Sequence, residues 1–499
     1  MLIWEKLLQP KRLRENLTVE KSESDNRSPF KKDFDTVCNS TVLRRLQDKA
    51  QVFPLEKEDY ARTRLTHSIE VMSIAESLSF SAISTIKMNQ PKYISSAKVK
   101  NKKEAALALI DEIPYILKTT ALLHDMGNPP FGHLGEEIIG EWFKNNLGNL
   151  SFNTDRKLVF GTGKESKETL EFMFKGKRAE DLKHFEGNAQ LFRLVTKLCW
   201  NVDEYGMNLS YPVLASFIKY PISSTQIDPS KGLFYKKAGY YTSEESLFKK
   251  ISSELHLGNN RHPLAFLLEA SDDIAYLTAD IEDAHRKGLI SARTIRDYLQ
   301  NNTSDPIISR LLQAMDDYTT LADEMKYEDQ ECYVVHRLRV LMKGLMINAV
   351  NEAFSDKYVD IMEGKLKNEL LEVSSACNLV KCLKRIEKER IYYCPQIVKS
   401  KTKAIAVLTK LLEVYVPAIV NWDESERQSD STNNLLYLSL SKNYRHVCEL
   451  ENRKVMNGSS SIEEKLEICT YNKILLVADQ ISGMTDSHAL SVYRTITAT

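Results

Sequence analysis

The stretch ALLHDMGNPPFGHLGEE, Ala121 to Glu137, holds the end of one helix, a forced stop and the start of another. Upstream, Ile110, Ile113, Ile116 and Leu117 recur at three and four residues, the spacing of one apolar helix face, and lead into Ala121 and Leu122. That helix cannot run past His124–Asp125. Gly127 is a favoured helix end, and two prolines, Pro129 and Pro130, cannot continue the ladder. Two ligand-type side chains therefore sit at a rigid helix terminus. Imidazole beside carboxylate suits a divalent ion of borderline or hard character: Mn²⁺, Fe²⁺, Zn²⁺ or Mg²⁺. Taken alone, a His–Asp dipeptide is more often a chance pair.

Three further patterns weigh against chance. In RTRLTHSIEV, Arg62 to Val71, the residues Arg64 and His67 are three apart and share a helix face, and Glu70 continues the row. A cation beside a metal-ligand type fits an anionic substrate, although the same words also describe a salt-bridged helix. In ASDDIAYLTADIEDA, Ala270 to Ala284, Asp272, Tyr276 and Asp280 recur every four residues and form a polar stripe on an otherwise apolar segment. His133 and Glu136 stand three apart just past the proline turn. A carboxylate orients a neighbouring imidazole and raises its pKa, which makes a general acid–base pair; an exposed helix start, with Glu136 and Glu137 favouring the macrodipole, is the plainer alternative.

Outward from these motifs the chain keeps helical spacing, as in Leu264, Leu267, Leu268 and in Leu338, Leu341, Leu345, and its 18 glycines in 499 residues are few, so an all-α fold is expected. One aromatic segment, LFYKKAGYYT at Leu233–Thr242, is expected to form a small β-hairpin. Lys87–Lys103, Asn149–Lys167 and Trp422–Asn434 read as polar loops, the last of them mobile. We expect a catalytic body over residues 1–350, with its motif core at about 60–285, and a helical C-terminal region over 351–499 packed on it. Lys+Arg and Asp+Glu balance at 68 each, so no global field favours nucleic acid or membrane. The eight scattered cysteines lack paired spacing for structural zinc and read as reduced thiols. The start, Met1–Asn16, has no signal-type apolar stretch, and no run reaches the roughly 20 apolar residues of a membrane span, so a cytoplasmic protein without membrane contact is expected.

The order H … HD … D resembles the HD superfamily of metal-dependent phosphohydrolases. The words RSPFKKDFD (27–35), LRRLQDKAQVFPLE (43–56), RTRLTHSIEV, LLHDMGNPPFGHLGE, HFEGNAQ (184–190), SDDIAY and QISGMTD (480–486) are similar to the deoxyguanosine triphosphate triphosphohydrolase family, in its long enterobacterial-like form. The resemblance implies an HD-domain helical fold and hydrolysis of dGTP, or other dNTPs, to deoxynucleoside and tripolyphosphate. It implies one divalent metal ion per site, Mg or Mn first and Fe or Zn in range, held by His67, His124, Asp125 and Asp272. His133 and Glu136 fall at the family's catalytic pair and His184 at another active-site histidine. Arg64, Lys219 and Tyr220 fall at phosphate contacts, Tyr276 near the deoxyribose, and Gln51 and Asp280 near the 3′-hydroxyl. A homo-oligomer is implied, a hexamer before other counts.

The match is thinner over about 300–460. There the stretch KCLKRIEKERIYYCPQIVKSKTK, Lys381–Lys403, interleaves basic residues with Tyr392 and Tyr393. Single-stranded DNA is one partner such a stretch fits; a solvated helix face or a subunit border are the others. Two other functions stay open at this point: a different HD-type nucleotide phosphohydrolase, and a nucleotide- or single-stranded-DNA-binding protein with little turnover.

Overall fold

Thr63 starts the helix around which the molecule is built. Its hydroxyl accepts the Thr66 N–H while the Thr66 side chain bonds back to the Thr63 N–H, a reciprocal cap that fixes the first turn of Arg64–Met88. The computed structural model describes residues 1–14, 25–53, 61–93, 100–161, 169–174, 176–200 and 202–498. Arg64–Met88 buries Val71, Ile74, Ala75, Leu78, Ala82 and Ile86 along one side and packs on three other helices: Ile113–Leu123, Pro263–Arg286 and Gln330–Asp356. Each fully buried Ile or Leu contributes about 1.5–3 kcal/mol, so this four-helix contact is a principal apolar anchor. The all-α expectation holds: among the described residues, strands are confined to one two-stranded sheet.

That hairpin lies elsewhere than expected. It joins Leu150–Phe152 to Leu158–Phe160, antiparallel, with Ser151 opposite Val159, inside a stretch read as loop. Asn153 shapes the turn, its side-chain oxygen accepting the Asp155 and Lys157 N–H groups, and Asn421 holds the outer strand through both the N–H and the carbonyl of Leu158. No strand is described over Leu233–Thr242. Leu233–Tyr235 is a single 3₁₀ turn, and Tyr240 stacks on Phe248 at 4.2 Å. The aromatic side chains pack into the body there instead of pairing across strands. Trp422–Asn434 is joined end to end, since Trp422 stacks on Tyr437 at 3.5 Å and its indole N–H donates to Asn434. Of Lys87–Lys103, the described part is helical, in Gln90–Tyr93 and from Lys100; residues 94–99 lie outside the described residues, as do 162–168 of the Asn149–Lys167 stretch.

The C-terminal region packs on the body. Pro395–Asn421 lies against His133–Asn146 and Ile462–Ser482. Arg193, on the helix Gly187–Arg193, is fully inside and pairs bidentately with Asp479 of Ile462–Ser482 and with Glu244. Two helices, Arg64–Met88 and Pro395–Asn421, are long and apolar enough to cross a membrane by length and composition; here both are packed against neighbouring helices. Among the described residues no disulfide joins the eight cysteines.

Candidate metal centre and active site

Ile113–Leu123 ends where the sequence requires, and His124 caps it. The His124 Nδ1–H donates to the carbonyl of Ala121 at 2.7 Å, which fixes the ring and leaves the Nε2 lone pair facing inward. That Nε2 is buried without a hydrogen-bond partner among the described residues, 3.6 Å from Asp125 Oδ2 and 3.5 Å from Asp272 Oδ1. His67 Nε2 reaches Asp272 Oδ1 at 3.0 Å. One donor atom each from His67, His124 and Asp125 lie within 4.8 Å of one another, all buried. These three donors, with an orphaned imidazole nitrogen among them and Asp272 Oδ1 close to both rings, fit a divalent ion. Asp272 reaches the same point from the middle of Pro263–Arg286, a helix whose own cap is His262, buried, neutral and pulled down to about 4 by burial.

Cations close the centre. Arg64 Nη1 pairs with Asp125 Oδ2 at 2.8 Å and Lys219 Nζ with Asp272 Oδ2 at 3.1 Å. Burial alone would raise both carboxyls; Arg64 holds Asp125 well below the usual carboxylate range, and Lys219 does the same for Asp272. Both carboxyls are therefore anionic. Asn128 donates to the remaining Asp125 oxygen at 2.6 Å.

His133 opens the next helix, His133–Asn146. Its Nδ1 lies 2.9 Å from Glu136 Oε2, with the imidazole side chain 74% exposed and the carboxylate 6%. Glu136 Oε1 accepts the Gly187 N–H at 2.9 Å, and a Cβ at Gly187 would collide with Glu136 and Asn128, so glycine permits this approach. Burial pushes the Glu136 carboxyl up, but His133 and Lys237 overcome it and hold it at about 2; Glu136 in turn raises His133. A cavity of about 580 Å³ brings His184 together with this pair and with Glu186, Lys236 and Lys237. Burial lowers the His184 pKa, and its Nε2 lies 3.3 Å from Glu180. A larger cavity, about 800 Å³ beside Phe234 and Tyr240, contains none of these groups.

The chain matches curated proteins along nearly its whole length. It is 38% identical over 496 residues to a "Deoxyguanosinetriphosphate triphosphohydrolase-like protein" of Listeria innocua, covering 98% of each chain, and equally to that of Listeria monocytogenes. It is 30% identical over 490 residues to the "Deoxyguanosinetriphosphate triphosphohydrolase" of Yersinia enterocolitica, covering 94% of each. The chain belongs to the deoxyguanosinetriphosphate triphosphohydrolase family. It is thus a member of a hydrolase class, although no family model matches it.

The remaining residues that this family resemblance picked out are spread further. Tyr220 is half-buried next to Lys219, its hydroxyl pushed up to about 12 by burial. Tyr276 and Asp280 continue the Asp272 stripe away from the centre, and Asp280 is buried with Oδ1 unpartnered among the described residues. Gln51 follows Ala50, which bridges Thr63, and its side-chain oxygen is buried without a hydrogen bond there. Glu70 turns away from the centre: Arg62 and Arg339 hold it at 3.4 and 2.7 Å. Sequence reading passed over Lys237, which binds Glu186 at 2.8 Å and Glu136 at 3.4 Å. It also passed over Glu387, inside the basic stretch, which is buried and pushed up to about 9 by burial and by Asp280. In that stretch Lys384 reaches Asp273, Arg385 pairs with Glu389 and Arg390 bonds the Tyr298 hydroxyl, while Tyr393 stays 72% exposed.

Proposed function

We propose that this protein hydrolyses a deoxynucleoside triphosphate, dGTP first among them, to deoxynucleoside and tripolyphosphate through water attack at the α-phosphate. The observation that carries the reading is the pairing of a cation with each ligand carboxylate, Arg64 on Asp125 and Lys219 on Asp272, next to the His133–Glu136 pair. His67, His124, Asp125 and Asp272 would hold one divalent ion. Such an ion supplies Lewis-acid polarisation of a phosphoryl oxygen and a water of lowered pKa. Arg64, Lys219 and Tyr220 offset and orient the triphosphate charge. As the water oxygen bonds phosphorus and gives up a proton to solvent, the bond from phosphorus to the 5′-oxygen breaks; that oxygen takes a proton from His133, whose pKa Glu136 raises, and His133 is reprotonated from solvent. His184 faces the same cavity. Gln51, Tyr276 and Asp280 would close the sugar side, leaving no room for a 2′-hydroxyl.

The test is incubation with each dNTP, singly and mixed, with Mg²⁺ or Mn²⁺, and chromatography of the products. Tripolyphosphate supports the reading. Orthophosphate or a linear dinucleotide replaces it with another HD-type activity, and full turnover by Asp125→Ala removes the metal centre. A ribonucleotide consumed as fast as its deoxy analogue removes the sugar wall. For assembly we propose a homo-oligomer, a hexamer before other counts, to be read as solution mass by light scattering. Single-stranded DNA as a partner at Lys381–Lys403 predicts a salt-sensitive oligo-dT gel shift; its absence removes that partner.

A further inference from the structure

The segment QISGMTD takes no part in the chemistry above, yet its last residue reaches the catalytic turn. Asp486 is 2% exposed, and both carboxylate oxygens accept backbone N–H groups: Oδ1 that of Phe131 at 2.9 Å, Oδ2 that of Ala50 at 3.0 Å. Phe131 has φ +65, a conformation L residues rarely adopt, and Gly132 follows at φ +61. Such backbone persists only where its surroundings over-determine it. The turn bears directly on two expected site residues. His133 is the next residue, and the Arg64 guanidinium occupies the space where a Gly132 Cβ would stand. On the other side, Ala50 precedes Gln51.

The same two segments are clasped at three more points. Lys49, buried, donates to the carbonyls of Asn128 at 2.6 Å and Ser482 at 2.8 Å, and Asn128 is the residue that holds Asp125. Arg45 donates to the Gly483 carbonyl at 3.1 Å, and the Ser487 hydroxyl donates to Asp48 at 2.7 Å. Residues 45–50 thus meet residues 482–487 directly beneath the turn.

We infer that Asp486 is a positioning residue of the hydrolytic site, whose carboxylate ties the Phe131–Gly132 turn to Ala50 and so sets Arg64 and His133 in register with Gln51. The inference rests on the proposed hydrolase function for its kinetic arm alone. A carboxylate serving stability only would leave the specific activity of the folded molecules unchanged, and this separates the two roles.

The experiment uses the full chain with Asp486→Ala and the near-isosteric Asp486→Asn, each assayed well below its own melting point. Displacement of catalytic groups by about 1 Å costs about 100-fold, so kcat of Asp486→Ala is expected to fall by about that factor. KM is expected to rise by less than kcat falls, because the metal ligands and Lys219 are untouched. Asp486→Asn, which keeps one acceptor, is expected between Ala and parent, and it serves alone if the alanine variant does not fold. Amide hydrogen exchange is followed in parallel, and faster exchange confined to residues 49–53 and 126–136 is expected. A kcat per folded molecule within twofold of the parent overturns the inference, as does acceleration spread over the whole chain. If the parent itself releases no tripolyphosphate, the hydrolase reading fails separately and exchange decides alone: local acceleration supports the positioning role, and none overturns it.

Discussion

Gly132→Ala isolates the coupling between backbone and electrostatics at the centre. Gly132 sits at φ +61, ψ −134, where a side chain costs about 1–3 kcal/mol. A Cβ there would also collide with Arg64 Nη2, so the guanidinium must leave its place against Asp125, 2.8 Å away and buried on both sides. Complete loss of a buried pair costs about 3–5 kcal/mol; a flexible arginine recovers part of this, so about 1–2 kcal/mol is expected beyond the backbone cost. The total fall in unfolding free energy is then about 2–5 kcal/mol, read by urea denaturation. Gly288→Ala is the control: φ is +68, but a Cβ there meets open space, so only about 1–2 kcal/mol is lost. In the proposed reaction Arg64 would make a charge-assisted bond to the triphosphate, worth about 1.5–3 kcal/mol, so tripolyphosphate release is expected to fall about 10- to 150-fold in Gly132→Ala and not in Gly288→Ala. Equal stability losses in the two variants, with turnover intact in both, would refute the placement of Arg64 behind this glycine.

Glu136→Gln tests the acid–base pair. The Glu136 carboxylate raises His133, so activity that needs protonated His133 is lost as pH rises through that raised value, and removing the charge moves this alkaline limb of kcat to lower pH; an unmoved limb excludes His133 as the acid. The pair's stability contribution follows the same signs: the His133 part is lost as pH rises through its raised value, the Glu136 part as pH falls towards about 2. Asp479→Ala leaves a buried Arg193 with Glu244 and a long bond to the Ser243 hydroxyl, and a loss of about 3 kcal/mol in urea unfolding is expected; less than about 1 kcal/mol would show the network to be dispensable. Metal and nucleotide should bind with positive coupling, because Arg64 and Lys219 pair with the ligand carboxylates that a metal would take over. Calorimetry with Mn²⁺ and a non-hydrolysable dNTP is expected to give equal tightening in both orders, and independent affinities would contradict it.

Much of the centre was legible because its determinants are local. Pro129–Pro130 and Gly127 fix where His124–Asp125 ends its helix, and a repeat of four places Asp272, Tyr276 and Asp280 on one face. What stayed hidden is set by distant contacts. Asp486 meets Phe131 across 355 positions, and Lys49 meets Asn128 and Ser482 with no local signature. Leu233–Thr242 has strand-like composition but packs its aromatic side chains on the body, whereas Leu150–Phe152 and Leu158–Phe160 pair around the Asn153 turn and are held by Asn421. Helical spacing placed Glu70 beside His67, but Arg62 and Arg339 decide where it points.

These hidden contacts share a direction: they hold charges that the chemistry needs. Buried Asp125 and part-buried Asp272 stand beside two buried imidazoles, and Arg64 and Lys219 answer the two carboxylates directly, since an unpaired buried charge costs several kcal/mol. In the proposed reaction those cations would also have to meet a triphosphate. The fold meets both demands by fixing the backbone behind each group: Gly132 makes room for Arg64, Asp486 and Lys49 hold the turn, and Pro263–Arg286 carries Asp272 to Lys219. The centre is therefore preorganised by segments at both ends of the chain. In the proposed reaction that registry, as well as the ligand set, would fix where a phosphoryl group meets Arg64 and Lys219.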